Sequence, residues 1–142
     1  MLLQRRLTLL IALASVLSTA AAAPPIPSHP LLGTWQLALG DGSCVETSEF
    51  RRDGTVHVAS AASRNVSDFD VEDDPVGQAH YILRVTLVSS NSVPDCLGII
   101  TPVGATARVS IRFVSPDRFI MCVDPEHRVC FGPYQRIAQS AS

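Results

Sequence analysis

The spacing of its turns constrains this chain more than any other feature. From Gly33 onward, short β-rich runs alternate with turn signals, and no stretch carries helical periodicity. The runs cover 34–39, 44–51, 55–60, 65–72, 79–89, 105–114, 118–123 and 128–137. A further apolar run, 96–103, is broken by Gly98 and Pro102. Asp53-Gly54 is the strongest hairpin signal and predicts a type I′ turn, with positive φ at both residues. Asp73-Asp74-Pro75, the polar stretch 89–95, Ser115-Pro116-Asp117 and Asp124-Pro125-Glu126-His127 are the other clear breaks. Such short connections exclude parallel pairing, which needs long crossovers. The chain therefore predicts an all-β fold: a small antiparallel up-and-down barrel of about eight strands.

Period-two alternation assigns the faces. In 79–89, Tyr81, Leu83, Val85 and Leu87 share one face, while His80, Ile82, Arg84, Thr86 and Val88 share the other. In 105–114, Val109, Ile111 and Phe113 lie opposite Arg108, Ser110 and Arg112. The predicted core is Trp35, Phe50, Tyr81, Leu83, Val85, Val109, Ile111, Phe113 and Phe131. The lone Trp, at the start of the first run, is placed to plug one end. With Val56, Val58, Leu87 and Phe119 added, the inward side chains predict a narrow and mostly filled interior.

The N-terminus reads as an export signal. Arg5 and Arg6 precede an apolar run over 7–17 that is too short to span a bilayer, and small residues follow. Pro24 would hinder cleavage after Ala23, so the signal peptide is assigned to 1–22. Residues 23–30 form a proline-rich leader, an extended spacer or arm. The barrel domain is assigned to 31–138 and a disordered tail to 139–142. No later apolar stretch is long enough to cross a membrane, so stable insertion after processing is not expected. The predicted location is periplasmic or secreted.

All four cysteines follow the leader, an even count that predicts two disulfides. Cys122 and Cys130 flank the last hairpin turn, which favours Cys122–Cys130 and leaves Cys44–Cys96. Four cysteines permit three connectivities, and the other two stay open.

Two family resemblances follow from the ends of the chain. Gly33-Thr34-Trp35 at the first strand, with Arg136 late in the last, resembles the lipocalin-like (calycin) small barrel. That resemblance implies a barrel with one closed end, where the late Arg packs over the Trp ring. Leu32-Gly33-Thr34-Trp35-Gln36-Leu37 followed by Cys44 is also similar to the periplasmic metalloprotease-inhibitor family. This second resemblance implies an eight-stranded barrel whose N-terminal arm enters a protease cleft. The second half of the chain and the number of cysteines depart from that pattern.

Several chemistries are excluded. The eleven cationic residues are all Arg; without Lys there is no Schiff-base or P-loop chemistry. Paired cysteines leave no thiolate nucleophile, and no G-x-S-x-G elbow occurs. There is no C-x-x-C, H-x-H or H-x-x-x-H, so His29, His57, His80 and His127 read as surface residues and no metal is assigned. No cofactor is called for. The formal net charge of −2 gives no footprint for nucleic acid. Asn65-Val66-Ser67 fits the glycosylation sequon, which matters only in a eukaryotic secretory route; the leader reads as bacterial.

Two charged sets remain. Asp68, Asp70 and Glu72 share one strand face, a solvated edge rather than a cation site. Arg84, Arg108 and Arg112 would share a polar face and could clamp an anion; the plainer reading pairs them with those acids. The sequence thus predicts an exported binding protein, not an enzyme. It would recognise a protein or envelope component through its surface. The alternatives are a lipocalin-like carrier of a small apolar ligand and an inhibitor of a secreted hydrolase.

Overall fold

A computed structural model describes residues 28–73, 77, 79–124 and 126–138. The assigned signal peptide, most of the leader and the assigned tail lie outside the described residues. Eight strands follow one another: β1 (Gly33–Leu39), β2 (Cys44–Phe50), β3 (Thr55–Ser60), β4 (Ser63–Asp73), β5 (His80–Ser90), β6 (Thr106–Ser115), β7 (Arg118–Cys122) and β8 (Cys130–Ile137). Each pairs antiparallel with its neighbour in sequence, and β8 returns to β1, closing the barrel. Closure removes both sheet edges. Among the described residues no helix is long and apolar enough to cross a membrane.

The two ends of the barrel differ. The lower end carries residues 28–30 and Trp35. Trp35, Phe119, Leu31, Leu83 and Ile111 are all but fully enclosed there. The Trp35 ring meets Phe119 edge-on at 4.7 Å, and Phe119 stacks on Tyr134 at 4.6 Å. The guanidinium of Arg136 sits 4.1 Å from the Trp35 ring centroid, as the calycin resemblance implies. It also donates to the carbonyls of Leu32 and Pro30. Gly33 makes room for it: a Cβ there would come within 2.8 Å of Arg136 Nη1, and φ is +119°. Trp35 Nε1 donates to the Leu31 carbonyl, so burying the ring leaves no orphaned donor.

The predicted core holds with one exception. Trp35, Phe50, Leu83, Val109 and Ile111 are buried, and Tyr81, Val85 and Phe113 are half-buried. Phe131 is 43% exposed. Strand β8 slips register between Phe131 and Tyr134, at Gly132-Pro133, so strict alternation fails there and Tyr134 fills the interior instead.

The turns bring further corrections. At Asp53-Gly54 only Gly54 has positive φ. The turn spans four residues, with Gly54 N–H bonded to the Arg51 carbonyl. Asp53 keeps an ordinary φ because its carboxylate accepts from the Thr55 amide and hydroxyl. The apolar run 96–103 is not a strand but part of the 91–105 loop, where Asp95 Oδ1 accepts from the amides of Leu97 and Ile99. The described end of the leader, residues 28–30, lies against the barrel. His29 packs against Tyr81 at 4.5 Å and accepts the Leu31 amide on Nδ1. Burial holds its imidazole below the usual histidine range, against the opposing pull of Asp73.

Both predicted disulfides form, Cys44–Cys96 and Cys122–Cys130, and no free cysteine remains among the described residues. Two such bonds fit an oxidising compartment outside the cytoplasm.

Candidate functional site

The register decides which polar side chains point inward. Phe50 and Trp35 face the interior, so Ser48, opposite Trp35, and Glu46, opposite Leu37, do too. Across β2–β3, Glu46 meets Ser60 and Ser48 meets Val58; across β3–β4, Val58 meets Asn65 and Val56 meets Ser67. The upper half of the barrel thus carries Glu46, Ser60, Ser63, Asn65 and Ser67 where the lower half carries rings.

Three of these, Glu46, Asn65 and Ser67, border a cavity of about 260 Å3, with Val58, Val85 and Leu87 beside them. The 91–105 loop adds Asp95, Thr101 and Ala105, and the start of β6 adds Thr106 and Ala107. This loop leaves β5 and β6 and crosses toward the opposite rim, where Cys96 is bonded to Cys44 at the head of β2. The Cys96 amide donates to Ser60 Oγ at the head of β3. The loop therefore roofs the mouth without sealing it. Its apolar side chains Leu97, Ile99, Ile100 and Val103 are more than half exposed.

Burial, reinforced by Asp95, pushes the Glu46 carboxyl up, against the opposing pull of the Ser60 hydroxyl. Glu46 and burial together push the Tyr134 phenol up, burial being the larger cause. Asn65 Oδ1 is buried with no hydrogen-bond partner. Asn65 faces the interior, so the sequon at 65–67 does not present its side chain on the outer surface.

A larger concavity, about 450 Å3, lies on the outside of β2–β5, bordered by Thr47, Glu49, His57, Arg64 and Val66. Its charged groups are already engaged. Glu49 pairs with Arg51, and Arg64 donates to the carbonyls of Ala61 and Ser63. Those contacts, with Asn91 bridging Ala62 and Arg64, hold Ala61 at φ 53° in a two-residue turn.

The arginine set falls on the outer surface. Arg84 lies directly opposite Arg108, and Arg112 opposite His80. Arg84 binds Asp70 at 3.3 Å and Glu72 at 2.6 Å, and this bond holds the Glu72 carboxyl below the usual range. The acidic and basic sets therefore meet, with Arg84 between them. His80 and His127 come within 6.1 Å, ring to ring, beside Arg112 and the Cys122–Cys130 bridge. Among the described residues no three metal-binding side chains gather.

Glu46 is the residue that sequence reasoning missed. Its signal was present: it stands four residues before Phe50 in an alternating strand, on the same face. The path of the 91–105 loop had no signal beyond Cys96. Comparisons with protein-family models, with curated proteins and with solved structures found no match.

Proposed function

We propose that this chain is an exported, lipocalin-like binding protein that holds one small ligand in the upper half of its barrel. The observation that carries the reading is the cavity between Val58, Val85 and Leu87 under the disulfide-tethered loop. Eight-stranded barrels have room for side chains or for one small ligand, and here the two uses are divided between the ends. A periplasmic or secreted location accords with the two disulfides. Surface recognition of a protein or envelope component is the second reading, supported by exposed Leu97, Ile99, Ile100 and Val103 on the same loop. The inhibitor reading draws on the arm, whose described end is held at the closed end by the Pro30 carbonyl accepting from Arg136 and by His29 against Tyr81.

Titration of the folded chain with the neutral dye N-phenyl-1-naphthylamine tests the ligand reading. Saturable one-to-one binding, lost when Val58→Phe fills the cavity, is expected. Binding unaffected by Val58→Phe in a folded variant would move the site to the outside.

A further inference from the structure

The chemistry of the cavity lining narrows the class of ligand, granted that the cavity is the binding site. Its apolar wall is Val58, Val85, Leu87 and Ala107. Its polar lining holds Glu46, Asp95, Asn65, Ser67 and two threonines and, among the described residues, no Arg or His. Glu46 faces inward from β2, and Asp95 reaches the same space from the roof. Among the described residues neither carboxylate takes part in an ion pair. Asp95 commits Oδ1 to two loop amides, which leaves Oδ2. Asn65 Oδ1 is a buried acceptor with nothing donating to it.

Such a lining is rich in acceptors and lacks a positive charge. A half-buried carboxylate facing a second one is costly unless a cation joins them. An ammonium group brings one positive charge and three donors, matching the Glu46 carboxylate, Asp95 Oδ2 and Asn65 Oδ1. A calcium ion would want six to eight oxygens, and among the described residues no three metal-binding side chains gather here for any other ion. The volume, about 260 Å3, is below the usual 300–1,000 Å3 of drug-sized sites, which suits a single ring or a short chain. We propose that the cavity takes a small organic amine in its protonated form, with the ammonium at Glu46 and an apolar body against Val58, Val85 and Leu87.

Calorimetric titration with three probes of one shape tests this: 2-phenylethylamine, 2-phenylethanol and 3-phenylpropanoate. The amine is expected to bind one-to-one and at least about tenfold tighter than the alcohol, with the carboxylate weakest. Glu46→Gln should weaken the amine by about tenfold and change the alcohol by less than about twofold. Alcohol binding as tight as amine binding, or amine affinity unchanged by Glu46→Gln, would overturn the amine assignment and leave the cavity as the site. If none of the three saturates, the cavity reading falls with it. The probe series on the unaltered chain decides the matter even where the variant fails to fold.

Discussion

The lower and upper halves of this barrel are built from the same eight strands and solve opposite problems. Below, interlocking aromatic rings, Leu31 and the Arg136 guanidinium fill the space until Trp35 and Phe119 have no exposure at all. Above, serines, Asn65 and an inward carboxylate leave space, and a covalent tether replaces packing as what holds the rim. The difference teaches that closure of the sheet and filling of its interior are separable. The hydrogen-bonded ladder runs the full height, while apolar packing is concentrated at one end. Loss of a packed side chain should therefore cost most below, while above the tether is what stability depends on.

The largest expected effect is at the plug. Trp35→Ala should cost about 3–5 kcal/mol in a urea titration, because it leaves a cavity where rings interlock. A loss under about 1 kcal/mol would erase the distinction between the halves. Next comes the roof. On the chain-entropy model, Cys44→Ala/Cys96→Ala should cost roughly 4 kcal/mol, against about 2 to 3 for Cys122→Ala/Cys130→Ala. The bridged residues are 52 apart in the first pair and 8 in the second, so equal losses in thermal melts would show that chain entropy does not govern them.

Arg136→Ala should cost about 1–3 kcal/mol, since it removes the cation over Trp35 and two bonds to carbonyls of Pro30 and Leu32. Its further sign is local. Amide exchange should quicken at Leu31 and Leu32 and stay unchanged in the roof loop, and uniform quickening would refute the separation.

The smallest effect has the opposite sign. The Glu46 carboxyl is held above its ordinary value of 4.5 in the folded chain, so the folded state keeps the proton more tightly than the unfolded state. That contribution favours folding fully below pH 4.5 and is lost as pH rises through the raised value. Glu46→Gln should therefore raise the melting temperature at pH 7 and change it little at pH 4. A variant less stable than the parent at pH 7 would mean that the Ser60 hydroxyl outweighs the cost of burying Glu46.

How far the sequence could be read follows the same division. The strands were legible because alternation and turn residues agree locally, and the lower plug was legible because Gly33, Trp35 and Arg136 sit at fixed places in the pattern. Phe131 was misplaced because alternation cannot register a slip such as the one at Gly132-Pro133. The roof was read as an apolar run because Leu97, Ile99 and Ile100 look like strand interior. Their exposure follows from the Asp95 turn and the tether at Cys96, both outside any period. Glu46 was not legible because a core face is marked by its apolar members, and an acid at such a position carries no periodic signal of its own.

The pairing of β8 with β1 sets Thr34 beside Ile137 at the plugged end. A short linker could therefore join these strand ends, and the chain could be reopened at another turn, a circular permutation that closed barrels of this topology invite. The exposed Arg52-Asp53 turn, also at the plugged end, is a suitable opening. In such a permutant, as in a fusion at either original strand end, attached domains hang from the plug and the mouth points away from them. The open end with its cavity is thus turned to the solution by connectivity alone.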